Sequence, residues 1–503
     1  MSLEETVGSP RPGLELSGKR QTAVAGSGLV GRKCRCAACS MSIHTVRARA
    51  PTVCPFCQAR LVAEIEETPP WTPEPEEVAR APRVQSNSRD SSRRLTIMIG
   101  SMGIALLALA VVVKLNNIEY FWYQPWVNFY SLVVGVFILS RFIIAAFYSA
   151  PPDVGFLPTV AVIVAARNES DAIGKTIGRI YAEGYPKDRL ETIVVNDGST
   201  DGTLAAMRQA QGRHPTLTIV DFETNKGKRH GMAIGALLAH AEFLVYVDSD
   251  SFLMPGSIRK VLQGLANPTV AAVSGHTDVE NVQTNALSKM QDERYFVSYR
   301  VMKAAESVFG AVSCCPGCFS AYRKTCVLNV LDRWLHQRFL GRYCTYGDDR
   351  SLTNYLLRDY RILYDDEALA TTIVPEKWGK YVRQQARWKR SWVREFLFAG
   401  RWMWRKHPVA VISWYTMTLL PLIAPVVMFY ALVLGPFMND RPAAFYVGGV
   451  LLVTLLWSFY YLEKTGRTYW WTAFLFTITY MLFFSWQGYY SLLTVRKTKW
   501  GTR

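Results

Sequence analysis

FLVYVDSDSF, residues 243–252, runs five apolar, β-favouring residues straight into Asp248, Ser249 and Asp250. A buried parallel strand reads this way, and the acidic pair then sits at its C-terminal end. In open α/β sheets ligands bind just beyond those ends. Two carboxylates one residue apart there can hold a hard divalent cation, which prefers oxygen ligands and commonly carries substrate phosphates. Taken alone, D-x-D equally describes a solvated turn. Its weight comes from the rest of the chain.

Upstream, TVAVIVAARNES reads as a strand followed by a loop, and LETIVVNDGSTDGT as a second strand ending at Asp197. TIVDFETNKGKRHGM follows, and helical stretches alternate with the strands. That alternation predicts a parallel sheet with crossover helices over residues 155–380. Asp197 and the Asp248/Asp250 pair would share one edge of it.

The chain has 503 residues, half of them hydrophobic, and a net charge of +17. Basic balance points to nucleic acid, anionic lipid or phosphate-bearing substrates. Because the apolar residues are gathered in long blocks, a membrane-facing basic surface is the cheaper explanation, and nucleic acid is not expected as a partner. The first ninety residues are polar, which argues against a cleavable signal. Residues 1–33 read as disordered. In CRCAACSMSIHTVRARAPTVCPFC, Cys36/Cys39 and Cys54/Cys57 form two C-x-x-C pairs with fourteen residues between them. That pattern predicts a structural zinc ribbon over 34–61, closed by four thiolates, with Cys34 and His44 as spare ligands. No catalytic motif lies there, so its removal is expected to spare catalysis. A protein partner for the ribbon is left open. Residues 62–94, Pro-rich and acidic and then basic, read as a linker.

Leu95 to Val113 is nineteen residues without a charge, long enough to span a bilayer, and 126–148 is a second span, interrupted only by Arg141 near its end. Tyr120, Trp122, Tyr123 and Trp126 mark the interface between them, and the arginines at 89–94 mark the cytoplasmic side. Ribbon and catalytic domain are therefore expected together in the cytosol, on an integral protein of the plasma (inner) membrane. Apolar blocks at 409–438, 443–462 and 469–495 follow an interfacial region at 381–406. Positive-inside reasoning for the tail, 496–503, requires an even number of crossings: either the first block divides near Pro421 or the last does not fully cross.

VAVIVAARNES, VVNDGSTDGT, NKGKRHGM, VDSDS, TYGDDRSLTNYLL and QQARW occur in the order found in family 2 glycosyltransferases with a GT-A (Rossmann-like) fold, which this chain resembles over 160–392. The likeness is to the processive, membrane-embedded branch. RFLGRYCTYGDDRSLTN, QQARWKRSW and the terminal WGTR look like hyaluronan synthases; the segment 293–323 looks more like chitin synthases, with Gly317, Cys318 and Phe319 where the hyaluronan type has Gly-Pro-Leu. The resemblance implies roles residue by residue. Asp349 is the general base, with Asp348 orienting or capping. Asp197 recognises the uridine. Asp248 and Asp250 hold Mg²⁺ or Mn²⁺. Lys226, Lys228 and Arg229 are candidate phosphate or nucleotide contacts, although for Lys226 a solvated basic loop is a serious rival. Cys314 lines the acceptor pocket. Gln384, Arg387 and Trp388 form Q-x-x-R-W, with Arg387 toward the diphosphate and Trp388 under the terminal sugar. Trp500 and Arg503 serve the same site.

These features predict a processive polysaccharide synthase. It takes UDP-GlcNAc, with UDP-GlcA as second donor, and passes the growing polysaccharide through its own transmembrane channel across the lipid bilayer. A GlcNAc homopolymer synthase stands second. A non-processive transferase to a lipid carrier and a catalytically dead zinc-ribbon scaffold are further alternatives.

Overall fold

The computed structural model describes residues 31–45, 53–66, 125–437 and 442–497, with positions 101 and 108. The expected span at 95–113 and the residues Trp500 and Arg503 lie outside them.

The first strands are β1 (Gly31–Cys36), β2 (Met41–Thr45) and β3 (Val62–Glu66), an antiparallel set with β1 in the middle. β3 falls where the linker was expected to begin. The alternation of apolar and polar residues in VAEIE lets it pair with β1, a pattern the acidic composition had masked.

Next come β4 (Val160–Ala166), β5 (Leu190–Asp197), β6 (Leu217–Phe222) and β7 (Phe243–Asp248). Helices α2 (Ile173–Ala182), α3 (Thr203–Arg213) and α4 (Lys228–Leu238) cross over between them; α1 (Pro125–Ala146) precedes them all. β6, β5, β4 and β7 lie side by side and parallel. Nearly every residue of β5 and β7 is buried, as strands covered on both faces require. The expected all-parallel sheet holds only this far. β8 (Ser251–Leu253), β9 (Val270–Val279), β10 (Phe319–Arg323) and β13 (Arg361–Thr372) extend it as a mixed sheet, in the order β7-β10-β9-β13-β8. β10 runs antiparallel to both its neighbours. A small hairpin, β11 (Arg338–Phe339) and β12 (Arg342–Tyr343), stands apart.

At the far edge the sheet does not stop at β6. β2 pairs antiparallel with β6, Met41 opposite Phe222 and His44 opposite Ile219. The four-cysteine segment thus joins the catalytic sheet, giving it eleven strands. Cys36, Met41, Ile43 and Cys54 share one buried cluster with Val220 and Phe222. The ribbon was expected as a separate domain ahead of a linker, with its partner left open. Its exposed edge is instead covered by this chain's own β6, because an unpaired strand edge is satisfied by whichever open edge lies nearest.

Among the described residues, three helices are long and apolar enough to cross a membrane: Pro125–Ala146, Pro408–Phe437 and Tyr446–Thr465. Arg141 of α1 is buried and donates to Ser413 Oγ on the second of these, so its charge faces protein. The first C-terminal block does not divide near Pro421: helical structure continues through Pro421 and Pro425 to Phe437. The last block is broken, with Thr472–Phe484 followed by a separate helix, Gln487–Leu493. That last helix lies along the interfacial helix Trp378–Ala399, where Gln487 donates to Val382 O at 2.9 Å and Ser491 to Ala386 O at 3.4 Å. Further interfacial helices expected up to 406 reduce to a short turn at Met403–Arg405.

Candidate active site

A single cavity of about 1730 Å³ opens at the carboxyl ends of β5 and β7. Its donor end is built from strand ends. Asp197 closes β5 and is 3 % exposed; its carboxylate accepts from Lys226 N at 2.7 Å, Gly227 N at 3.0 Å and Asn225 Nδ2 at 2.6 Å. Burial pushes its pKa up, with the two backbone donors working against that. Asp248 closes β7 and accepts from the Lys228 ammonium. Burial alone would lower the Lys228 pKa, but the Asp248 carboxylate beside it outweighs that and holds it above the ordinary value. Asp250 lies on the same wall. A Cβ on Gly317 would sit 2.6 Å from Lys228 Nζ and 2.8 Å from Asp248 Oδ1, so only glycine leaves this corner open. Two carboxylates at a strand end, a cleared corner and a mobile ammonium fit a hard cation carrying a diphosphate.

The acceptor end is built on α5 (Asp348–Leu357), which starts from Gly347. Asp349 lines the cavity. Its Oδ1 accepts from Arg350 N at 2.8 Å, and Cys314 Sγ donates to its Oδ2 at 3.8 Å. Burial, and then Asp349, push the Cys314 thiol up to about 11, so it acts as a neutral donor. Asp348 turns the other way. Arg229 Nε donates to it at 2.8 Å, with the two side chains 4 % and 3 % exposed, and Arg229 Nη1 donates to Trp334 O at 2.6 Å. Arg229 also lines the cavity, and its guanidinium makes a buried ion pair that fixes the start of α5, where an unpaired Asp348 would be costly.

The third wall is the interfacial helix, α6 (Trp378–Ala399). Gln384, Arg387 and Trp388 all face the cavity. Two basic groups here were not singled out in the sequence. Arg294 donates to Gln385 Oε1 at 2.6 Å and lies 5.6 Å from the Trp388 ring centroid; Lys389 donates to Phe484 O. Burial, with Arg294 adding, lowers the Lys389 amine to about 7. Both lie in stretches that resemble the family, Lys389 directly after Trp388 and Arg294 at the start of 293–323, but only the three-dimensional convergence of separate helices brings them to one wall.

Gly347 joins the second and third walls. Its φ is +75°, and a Cβ would lie 1.9 Å from Ser391 Oγ. Arg394 on the same helix donates to Tyr346 O at 2.6 Å. The end of the described chain returns to this place, with Tyr346 OH donating to Lys497 O at 2.6 Å. From Trp388 the cavity continues to Met417, Pro421, Leu422, Tyr480, Ser485 and Gly488 on the apolar C-terminal helices.

Residues 158–391 match the family described as "Glycosyltransferase like family 2". Over this stretch the chain is similar to family 2 glycosyltransferases. The chain is 27 % identical over 416 residues to a hyaluronan synthase of Streptococcus pyogenes, covering 79 % of this chain and 95 % of that one. An N-acetylglucosaminyltransferase of Mesorhizobium japonicum is 32 % identical over 252 residues, 50 % of this chain and 59 % of that one. Among solved structures, the mannosyltransferase PcManGT of Pyrobaculum calidifontis, in complex with GDP-Man and Mn²⁺, is 24 % identical with a TM-score of 0.48, covering 69 % of this chain and 99 % of that one. The matched stretch carries the mixed sheet from β4 to β13, with the acidic ends of β5 and β7 and the start of α5 on one rim.

Proposed function

We propose that the glycosyltransferase domain and the apolar helices form one processive polysaccharide synthase using UDP-GlcNAc and UDP-GlcA. The observation that carries this reading is the continuity of the cavity: it runs from Asp197 and Asp248, past Asp349 and Trp388, to Pro421, Tyr480 and Gly488 on the membrane side. A transferase that adds one sugar and releases it has no use for such a path. A polymerase needs somewhere for its product to go.

In this reading Asp197, with the 225–227 backbone, binds the uridine, and Lys228 and Arg387 face the diphosphate. Asp349 accepts the proton of the acceptor hydroxyl as that oxygen attacks the anomeric carbon and the diphosphate leaves, which inverts the configuration. Trp388 offers a flat apolar face to the terminal sugar, and Cys314 orients Asp349. Asp248 and Asp250 hold a Mg²⁺ or Mn²⁺ ion, which supplies positive charge to the leaving group. Pro421 has no N–H to give the Met417 carbonyl, leaving an acceptor for sugar hydroxyls along the exit path. Cys36, Cys39, Cys54 and Cys57, whose sulfurs lie within 4.8 Å of one another, hold a structural zinc. The site faces the cytosol from the plasma membrane, where nucleotide sugars and reduced thiols are both found.

The test is incubation of the purified protein with UDP-GlcNAc alone and then with UDP-GlcA added. Long product only with both donors, digestible by a hyaluronan-specific lyase, is the expected result. The Gly317-Cys318-Phe319 segment and the likeness to an N-acetylglucosaminyltransferase favour a second reading, a GlcNAc homopolymer. Chitinase-sensitive product from UDP-GlcNAc alone would establish that one instead.

A further inference from the structure

The four-cysteine segment lies against the donor site. Cys39 carries one of the four clustered sulfurs, and its backbone carbonyl accepts from Lys226 Nζ. The backbone N–H of the same Lys226 donates to Asp197 at 2.7 Å. One residue therefore links the metal-binding knuckle to the carboxylate at the bottom of the donor pocket. The contact is reinforced on both sides. Glu223 N donates to Ser40 O at 3.2 Å, continuing the β2–β6 ladder into the 223–227 turn. Phe56, between Cys54 and Cys57, packs its ring 6.4 Å from His230, which lines the cavity. An Arg35–Glu223 pair at 2.6 Å is exposed and adds little.

The turn itself has weak local reasons to hold this shape. Residues 223–227, ETNKG, contain no large apolar side chain and include Gly227 at φ +94°. Its backbone donors converge on Asp197 only if something fixes them from outside, and the knuckle does so. Residues 36–40 and 54–59 are short turns, and four thiolates around one cation would cross-link them into a fixed shape.

We propose that the metal-loaded ribbon is a working part of the donor site, with Lys226 as the positioning residue. A thiophilic divalent cation bound by the four thiolates sets nucleotide affinity by holding the 225–227 backbone on Asp197. This rests on the zinc assignment above and on Asp197 as the nucleotide contact.

The test uses the full-length protein in detergent, with UDP and excess Mg²⁺ as the probe and binding read by calorimetry. Zinc is measured first and then removed with a zinc-selective chelator. The expected result is about one zinc per chain and, on its removal, about a tenfold loss of UDP affinity, the size expected for loosening a hydrogen bond to a charged group. Lys226→Met, which leaves every cysteine in place, should show a similar loss with its zinc still bound and little further loss on chelation. In turnover assays both changes should raise the donor KM and leave kcat near its original value. UDP affinity that ignores zinc removal would overturn the proposal. So would an equal additional loss in Lys226→Met, which would make Lys226 a direct nucleotide contact independent of the ribbon. UDP binding is read without product, so failure to make polymer bears on the synthase reading alone.

Discussion

Asp348 and Asp349 are neighbours in sequence with opposite surroundings. Asp349 faces the cavity beside Cys314, and Asp348 is locked to Arg229 inside the protein. Asp349→Asn should therefore reduce turnover by about 10²–10⁴-fold, the usual cost of losing a general base, while UDP binding by calorimetry stays near normal. Arg229→Met should act through stability. It leaves a buried carboxylate without its partner, a loss of about 3–5 kcal/mol, and adding Asp348→Asn should restore part of the melting temperature. A stable Arg229→Met protein with weakened UDP binding would return Arg229 to the nucleotide. Lys389 provides a pH signature. Its amine titrates near 7 in the fold and near about 10.4 in an unfolded chain. Between those values the unfolded state binds more protons, so this residue's contribution to stability rises with pH. The melting temperature of the wild type should gain on that of Lys389→Met from pH 7 to 10, and a constant gap would count against the shifted amine.

At the scale of elements, the joint between the start of α5 and the interfacial helix α6 is the tightest contact in the site. Gly347→Ala places a methyl group on Ser391 and forces a left-handed φ on an alanine. Displacing Asp349 by even an ångström should cost about 10²-fold in polymer synthesis. Gly347→Ala combined with Ser391→Gly should recover part of it, because the clash with Ser391 goes and the φ strain and a close approach to Arg394 Nη2 at 3.0 Å remain. Several elements of this site were legible in sequence. Asp197, Asp248 and the Asp348/Asp349 pair sit at strand ends and a helix start, because apolar runs ending in acidic residues follow local rules. The pairing of β2 with β6 was not legible. It depends on two open edges meeting, and neither edge carries a mark of its partner. The switch from parallel to mixed sheet after β7 was hidden for the same reason: a buried strand reads alike in either direction. The Arg229–Asp348 pair was not legible either, because a basic residue in a phosphate-binding loop and one in a buried ion pair have the same one-letter neighbours.

Over the whole molecule, the cavity joins the donor pocket to the apolar helices. A Cβ on Gly488 would meet no atom within 4 Å, so a side chain can leave the backbone there without a clash at its first atom. Gly488→Trp should obstruct the far end of the path. UDP release should continue with short oligosaccharides as product, and long polymer should disappear on a sizing gel. Full-length polymer from this variant would mean that the product leaves by another way.

The place of β2 beside β6 also has a consequence for the order in which the molecule can be assembled. The four-cysteine segment ends at Glu66 and its partner strand begins at Leu217, so 217 − 66 = 151 residues separate them on the growing chain. At about 5–20 residues per second, the segment emerges from the ribosome roughly ten to thirty seconds before the strand it will pair with. Throughout that interval β2 carries an open edge, the kind that recruits foreign strands. Under the proposal above, cation capture by the thiolates would come first and keep the small domain folded until β6 is made, and the donor site would be complete only once β2 has joined the sheet.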